Sequence, residues 1–376
     1  MKLAVPTETR AGERRVAIVP EVAGRLAAAG VEVVVQGGAG DNAFLPDSAF
    51  EEKGARIADG ASVLAGAELV ARVNAPTPDE VQRQDAGANL VSFLQPLAQL
   101  EVVEALVARR ATAFSLDLLP RISRAQSMDA LSSQATVSGY LAALAAAERL
   151  PKFFPMFMTA AGTVPPAKVL VLGAGVAGLQ AIATARRLGA MVRAYDVRAA
   201  AKEEVQSLGA QFVELELETQ EGSGGYAREQ SEEFLARQRE LIGNEVGAAD
   251  VVITTAAVPG RKAPLLVTTA MVEGMSEGAI VVDLAADGGG NVELTQAGQE
   301  INHGGVRVYG MSNPPSAMPT HASFLYARNV LNFLSLIVVD GELRPDFDDE
   351  IVAGTCVVRA GEVVHLPTLE LLKEGT

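Results

Sequence analysis

Six residues near the middle of the sequence, Gly173-Ala174-Gly175-Val176-Ala177-Gly178, follow the pattern G-x-G-x-x-G. A turn of this kind can bind a pyrophosphate. The first glycine permits the tight turn, the second lets the backbone approach the phosphates, and the third allows close packing of helix and strand. The amides that begin the next helix then face the anion. We therefore predict that Gly173, Gly175, Val176 and Gly178 bind a dinucleotide.

The motif requires a strand before it and a helix after it. The apolar run Val169–Leu172 predicts the strand, and the pattern of Leu179–Leu188 predicts the helix. A second strand is predicted at Met191–Tyr195, and it ends at Asp196. A carboxylate at this distance accepts hydrogen bonds from the adenosine ribose hydroxyls and repels a 2′-phosphate, so we expect NAD(H) rather than NADP(H).

Two cations close to this carboxylate, Arg193 and Arg198, weaken the preference slightly, because they would attract a 2′-phosphate. We expect Val197 and Arg198 to line the same cofactor. Ala257, which follows a predicted strand at Val251–Thr254, completes this group of cofactor-binding residues.

Strand and helix patterns alternate along the whole chain, which predicts parallel βαβ units. The expected fold is α/β, with two Rossmann-like, doubly wound parallel-sheet domains separated by a cleft. A long helix from near Ser127 or Asp129 to Leu150 leaves the first domain, and an apolar helix over Ala322–Val338 returns to it. The predicted outer domain is discontinuous, 1–133 with 318–376, and the predicted NAD(H)-binding domain is 134–317.

Composition excludes several classes of function. The net charge of −15 over 376 residues argues against nucleic acid and acidic membrane surfaces as partners. One cysteine and three scattered histidines make a zinc site improbable, and we expect no metal. The long uncharged run Val169–Ala185 contains glycines and predicts strand, turn and helix rather than a membrane span. We therefore expect a soluble chain that needs a partner to work at a membrane.

Several segments resemble the alanine dehydrogenase and transhydrogenase family, and the resemblance covers nearly the whole chain. The segments that carry it are Pro6-Thr7-Glu8, Arg14-Arg15-Val16-Ala17-Ile18, Gly37-Gly38-Ala39-Gly40, Thr159 to Ala167, Pro259-Gly260 and Ala263-Pro264.

The segment from Pro120 to Asp129, PRISRAQSMD, resembles a loop specific to the transhydrogenase branch. In that family the Arg, Gln and Asp of the loop lie over the nicotinamide end of the cofactor. The resemblance gives this catalytic role to Arg121, Gln126 and Asp129, with Ser132 close by. These side chains supply the donors and acceptors that a carboxamide needs. Without the resemblance, the same residues would favour a polar loop that caps a helix.

The glycine-rich run EGSGGY, residues 221–226, resembles a mobile loop of the family whose tyrosine closes over bound nucleotide. The matching residue is Tyr226, which we group with the catalytic residues, and Gly225 is predicted to contact the cofactor. Gln238, on the helix that follows, is predicted to line the site. The alternative for the run is a solvated linker.

Two residues of the alanine dehydrogenase branch are replaced here. Those enzymes bind pyruvate with a Lys and a His, and Asn74 and Gln95 stand at the matching positions. Interconverting an imine and an amine requires a general acid and base, whereas hydride transfer between two nicotinamides requires only alignment. Arg15 and Asp287 still match dehydrogenase positions, which we interpret as shared ancestry.

The resemblance implies the NAD(H)-binding subunit of a proton-translocating transhydrogenase, Re/Si-specific and active only with partner subunits. It implies direct hydride transfer from NADH on this chain to NADP+ on a partner. The expected partners are NADP(H)-binding and membrane-spanning subunits and a second copy of the chain. The expected location is cytoplasmic, peripheral at the inner face of the plasma membrane. The alternatives are an alanine dehydrogenase-like amino-acid dehydrogenase and a non-enzymatic nucleotide sensor.

Overall fold

The computed structural model describes residues 1–214, 232–257 and 262–374 of the chain. They form two compact units. Unit 1 consists of Met1–Gln134 and Pro315–Thr376, and unit 2 consists of Ala135–Pro314. The first boundary falls inside one long helix, Ala130–Arg149.

The elements follow in chain order. Unit 1 begins with strands β1 (Lys2–Val5), β2 (Glu32–Gln36), β3 (Arg56–Ala58), β4 (Leu69–Asn74), β5 (Asn89–Phe93) and β6 (Thr112–Ser115), and helices α1 (Pro20–Ala28), α2 (Asp47–Glu51), α3 (Pro78–Gln82) and α4 (Leu100–Ala108). Helix α5 (Ala130–Arg149) leads into unit 2, which contains strands β7 (Phe157–Thr159), β8 (Gly162–Val164), β9 (Lys168–Leu172), β10 (Met191–Tyr195), β11 (Gln211–Phe212), β12 (Val251–Thr254), β13 (Ile280–Asp283), β14 (Glu300–His303) and β15 (Val306–Gly310), and helices α6 (Val176–Arg187), α7 (Ala201–Ser207), α8 (Glu232–Ala248) and α9 (Thr269–Glu273). The chain returns to unit 1 through α10 (Pro319–Ile337), β16 (Val338–Val339), β17 (Glu342–Leu343), α11 (Glu350–Thr355), β18 (Cys356–Arg359), β19 (Glu362–Val363) and α12 (Leu366–Glu374).

The main sheet of unit 1 has the strand order β19-β18-β6-β5-β4-β1-β2-β3. Strands β1 to β6 run parallel to one another, β18 runs antiparallel to β6, and β19 runs antiparallel to β18. A parallel sheet must be covered on both faces. Accordingly, Tyr326 and Phe333 of α10 belong to one apolar cluster of the unit, and Leu106 of α4 belongs to another.

The main sheet of unit 2 has the order β11-β10-β9-β12-β13-β15-β14, in which only the edge strand β14 is antiparallel. The direction of winding changes between β9 and β12. In doubly wound sheets, ligands bind at the carboxyl ends of the strands next to such a point. The end of β9 is therefore the position where a ligand is expected.

Both sheets confirm the predicted Rossmann-like α/β fold class, although each has an antiparallel edge. Two local predictions differ from the structure. Helix α6 begins at Val176, earlier than the predicted Leu179, because the fingerprint residues themselves form its first turn. The strands β7 and β8 form a hairpin, whereas Pro155, Pro165 and Pro166 around them predict a break in regular structure.

None of the helices within the described ranges combines the length and apolar character needed to cross a membrane.

Candidate functional site

The fingerprint turn lies at the end of β9, and its three glycines differ in their surroundings. Gly173 has φ +101°, a left-handed conformation that favours glycine. A Cβ on Gly178 would lie 1.9 Å from the Gly173 carbonyl oxygen, so the first turn of α6 packs directly on the strand end. A Cβ on Gly175, by contrast, would meet nothing within 4 Å. The surroundings of the glycines match their predicted roles in the turn.

The start of α6 is open toward solvent. Gly175 and Val176 are exposed, and no side chain of the described residues caps this end of the helix. The first amides of a helix have no partner within the helix and carry its positive dipole end. Uncapped amides beside a glycine with open space fit a dinucleotide pyrophosphate.

Asp196 follows β10 and accepts four hydrogen bonds. Its Oδ2 accepts from the Ala174 amide at 2.7 Å, and its Oδ1 accepts from the Arg198 amide at 2.8 Å. The Arg198 guanidinium completes the set, with Nε 3.0 Å from Oδ1 and Nη2 3.1 Å from Oδ2. Burial alone would raise the pKa of Asp196, but these hydrogen bonds outweigh it and hold the pKa below its usual value. The carboxylate is thus ionised and fixed beside the fingerprint.

The other cofactor residues predicted in unit 2 fall into three groups. Val197 and Ala257 are exposed, as contact with a ligand requires. Gln238 is buried, and its side-chain amide donates to the Tyr195 hydroxyl at 2.8 Å, directly before Asp196. Gly225 and Tyr226 lie outside the described residues.

Three residues that lie against the turn or hold the strand end beside it were not found from the sequence. The Thr255 hydroxyl donates to the Gly173 carbonyl at 3.0 Å. A Cβ on Gly139 would lie 2.0 Å from the Ala177 carbonyl oxygen, so α5 packs against the fingerprint backbone. Asn291 is fully buried and is bonded to both backbone groups of Ala256. Gly139 did carry a signal, because a glycine inside an alanine-rich helix costs stability and indicates close packing.

In unit 1, the segment predicted to contact nicotinamide contains the short 3-10 helix Ser123–Met128. The side chains of Arg121 and Gln126 are exposed. The carboxylate of Asp129 accepts from the Ser132 amide at 2.8 Å and from the Ser132 hydroxyl at 2.6 Å, and thereby caps α5.

Other residues of unit 1 fix the backbone of the Ser123–Met128 segment. The Ser127 carbonyl accepts from Asn329 Nδ2 at 3.0 Å and from Asn332 Nδ2 at 2.8 Å. Arg124 pairs with Asp349 at 2.6 Å. The backbone is therefore fixed, while Arg121 and Gln126 remain accessible.

A buried polar network lies at the carboxyl ends of β1 and β4. Glu13 binds Arg15 through both oxygens at 2.7 Å. Asn74 Nδ2 donates to Glu8 Oε2 and to Glu13 Oε2, each at 3.0 Å. Burial would raise the pKa of Glu13, but Arg15, Asn74 and Ser316 lower it far below its usual range. For Glu8 burial prevails over Arg72 and the pKa is raised.

Asn74 and Gln95, which are predicted to match the Lys and His of the dehydrogenases, carry neutral amide side chains. Asn74 is held between two carboxylates. Gln95 is exposed with φ +47°, and its backbone N–H donates to Asp117 Oδ2 at 2.8 Å. Asp287 accepts from the Ser312 hydroxyl at 2.6 Å. Within the described residues, no group of three or more His, Cys, Asp or Glu side chains is placed to hold a metal ion.

Comparisons with known proteins agree with this geometry. Models of the N-terminal and C-terminal domains of alanine dehydrogenase/PNT match residues 4–138 and 142–366. The chain is 48% identical over 377 residues to the first part of the NAD(P) transhydrogenase subunit alpha of Rhodospirillum rubrum, covering 97% of this chain and 98% of that protein. It matches the crystal structure of transhydrogenase from Sinorhizobium meliloti with a TM-score of 0.89 and 42% identity, over 97% of this chain and 100% of that chain. An alanine dehydrogenase from Halomonas elongata is more distant, at 29% identity over 98% of this chain and 96% of that protein.

Proposed function

Because the chain belongs to the alanine dehydrogenase/PNT family, we propose that it is the NAD(H)-binding subunit of a proton-translocating transhydrogenase. One observation carries the choice within the family. The fingerprint and Asp196 form a dinucleotide site, while Asn74 and Gln95 stand where a dehydrogenase needs its titratable residues. NADH bound at this site supplies the hydride, and NADP+ on a partner subunit accepts it.

The residues of unit 2 bind and select the cofactor. The backbone of Gly175 and the first amides of α6 face the pyrophosphate, with Val176 beside them. Gly173 and Gly178 give the turn its shape, supported by Thr255. Asp196 accepts the ribose hydroxyls and rejects a 2′-phosphate. Val197, Arg198, Gly225, Gln238 and Ala257 complete the proposed cofactor site.

The residues of the loop in unit 1 position the nicotinamide. Arg121 and Gln126 have exposed side chains that offer donors and an acceptor to a carboxamide, and Asp129 with Ser132 offers acceptors and a hydroxyl. Tyr226 is proposed to close over the bound nucleotide. Alignment alone can supply on the order of 7–11 kcal/mol of a barrier. The reaction moves no proton at either ring, which agrees with the neutral side chains at Asn74 and Gln95.

The finer features of the assignment are also proposals. We expect Re/Si-specific transfer that requires NADP(H)-binding and membrane-spanning partners, and a location at the inner face of the plasma membrane through those partners. The word "subunit" in the name of the Rhodospirillum rubrum relative supports the need for partners. We also propose a homodimer.

Reconstitution tests the function. The chain is mixed with membranes that contain the NADP(H)-binding and membrane-spanning subunits of a transhydrogenase, and hydride exchange between NADH and an NADP+ analogue is measured. We expect exchange only when all components are present. Alanine-dependent NAD+ reduction by the chain alone would support the dehydrogenase alternative, for which the retained Arg15 and Asp287 are the argument. Nucleotide binding without turnover in any mixture would indicate a sensor.

A further inference from the structure

The hydrogen bonds of Asp196 leave no acceptor direction free for a ribose. A carboxylate offers roughly four lone-pair directions. Two are used by backbone amides, those of Ala174 and Arg198. The other two are used by the Arg198 guanidinium, with Nε at 3.0 Å and Nη2 at 3.1 Å. The side chain of Asp196 is only 8% exposed, whereas that of Arg198 is 57% exposed.

The guanidinium is also placed against the fingerprint itself. Arg198 Nη2 donates to the Ala174 carbonyl at 3.3 Å, so one side chain bridges the carboxylate and the turn. Its two side-chain bonds to Asp196 come from a long side chain that is 57% exposed, so the guanidinium can turn away into solvent. The N–H groups of Ala174 and Arg198 that bind Asp196 belong to the backbone, so a ligand cannot displace them as it can displace a side chain. The guanidinium is therefore the donor group that a ligand can displace.

We propose that Arg198 is a specificity-determining residue that competes with the ribose hydroxyls for Asp196 and, once displaced, pairs with a 2′-phosphate. The proposal rests on the NAD(H) site described above. Two opposite effects follow. Displacing the guanidinium weakens binding of NADH, because the ribose must replace two charge-assisted hydrogen bonds. The released guanidinium favours NADPH, because Arg binds phosphate through a bidentate fork.

Asp196 and Arg198 thus have opposite effects on the binding of a nucleotide that carries a 2′-phosphate. The carboxylate alone would reject NADPH strongly. The neighbouring cation softens that rejection, and it lowers the affinity for NADH at the same time. The net preference for NADH is then smaller than the carboxylate alone would give.

Calorimetric titration of NADH and NADPH into the full-length chain tests this. In Arg198→Ala we expect NADH to bind at least threefold more tightly and NADPH at least threefold more weakly, so that the ratio of the two dissociation constants rises about tenfold. Arg193→Ala is the matched control. Arg193 lies on β10, is 49% exposed and pairs with Glu245 at 3.0 Å. Because the four hydrogen bonds of Asp196 come from Ala174 and Arg198, removing Arg193 changes net charge equally without touching Asp196, in contrast to the effect expected from sequence proximity. The control should leave the ratio within twofold of the wild type.

A second pair of variants isolates the phosphate contact. Asp196→Asn should tighten NADPH binding at least tenfold, because the guanidinium is released and the repulsion removed. Adding Arg198→Ala to Asp196→Asn should abolish most of that gain. A gain that persists in the double variant would overturn the role of Arg198 toward the phosphate.

The Nε–H signal of Arg198 in ¹⁵N NMR spectra gives a readout independent of affinity. We expect a protected signal without nucleotide that is lost or shifted on adding NADH, and Arg198→Lys identifies it. A signal that stays protected and unshifted with NADH bound, or an unchanged affinity ratio in Arg198→Ala, overturns the proposal but leaves the NAD(H) site standing. Failure of the wild-type chain to bind either nucleotide would instead remove the proposed function.

Discussion

Asn74 donates both hydrogens of its side-chain amide to carboxylates, one to Glu8 and one to Glu13. A lysine at this position would bring a positive charge to the same two groups. The neutral amide brings none, so Arg15 compensates Glu13, while the more distant Arg72, 4.0 Å from Glu8, compensates Glu8 incompletely. At the scale of single residues, an asparagine instead of a lysine at position 74 therefore means that no titratable amine lies between Glu8 and Glu13.

We predict that Glu13→Gln destabilises the protein by about 3–5 kcal/mol at pH 7, because it removes the carboxylate charge that compensates the buried guanidinium of Arg15. The native pKa of Glu13 is lowered from the ordinary 4.5. Its contribution is therefore complete above about pH 4.5 and is lost as the pH falls further. Urea unfolding between pH 2.5 and 7 should show that acid-induced loss in the wild type and a flatter profile in the variant.

Glu21→Gln is the matched control, because Glu21 is 47% exposed and its pair with Arg25 lies on the surface. It should change stability by less than about 1 kcal/mol. If the two variants behaved alike, the buried network would have no special role in stability.

Gln126→Asn should slow hydride transfer at least tenfold in the reconstituted complex, equivalent to roughly 1.4 kcal/mol. The shorter side chain keeps its charge and polarity but misplaces the nicotinamide, and about 1 Å of misplacement can cost a hundredfold. The affinity for NADH should change much less, since the proposed adenosine and pyrophosphate contacts are in unit 2. Single-turnover kinetics and calorimetry measure the two quantities.

Ser123→Ala, in the same short helix and not assigned to the site, should transfer hydride at the normal rate. A normal rate of hydride transfer in Gln126→Asn would indicate that the loop only caps helix α5. The proposal would then rest on Asn74 and Gln95 alone.

At the scale of elements, two glycines at the junction of β9 and α6 should have different roles. Gly178 should matter for stability and cofactor binding, and Gly175 for cofactor binding alone. Gly178→Ala should lower both stability and NADH affinity, because its Cβ would lie 1.9 Å from a backbone oxygen. Gly175→Ala should keep normal stability, since its φ of −76° suits alanine and its Cβ meets nothing within 4 Å. Its NADH affinity should nevertheless fall at least tenfold, because the methyl group faces the pyrophosphate.

Thermal unfolding and calorimetry of both variants check this prediction. The Gly175→Ala variant is the informative one. If its affinity for NADH were normal, the phosphates would not approach the turn at that residue.

The elements and the first cofactor residues could be predicted because their signals are local. A strand pattern, three glycines and an acid at the correct distance identify the fingerprint and Asp196 within about 30 residues. Gly139, Thr255 and Asn291 could not be found in this way. Gly139 and Thr255 contact the turn from distant parts of the chain, and Asn291 holds Ala256 next to Thr255. These contacts depend on the packing of the sheet. The bond between Asp196 and Arg198 was also missed, because sequence proximity does not show which lone pairs a side chain occupies.

At the scale of the molecule, the hairpin of β7 and β8 forms a separate two-stranded sheet with apolar side chains on its surface. Met158 is 80% exposed, and Phe153, Met156 and Phe157 are 56%, 57% and 42% exposed. An isolated hairpin is marginally stable in water, and grouped exposed apolar residues indicate an interface. We propose that a second copy of the chain covers it.

Sedimentation equilibrium should then give twice the chain mass of 39.1 kDa. Met158→Asp should shift the equilibrium toward the monomer while circular dichroism stays unchanged. Val339→Asp, at a 44% exposed residue of unit 1, should leave the dimer intact. A wild-type chain that sediments as a monomer at micromolar concentration would contradict the proposal.

The last residues of the chain complete the unit that the first residues begin, and this has a consequence for biosynthesis. The Tyr326 hydroxyl donates to the Arg72 carbonyl at 2.7 Å, and Phe333 packs on Phe114. The ribosome must therefore make the whole of unit 2, about 180 residues, before α10 can cover β4 to β6. At about 5–20 residues per second this takes roughly 10–40 s. During that time the first strands lack the cover of α10, so their apolar side chains are the ones that we expect a chaperone on the ribosome to bind.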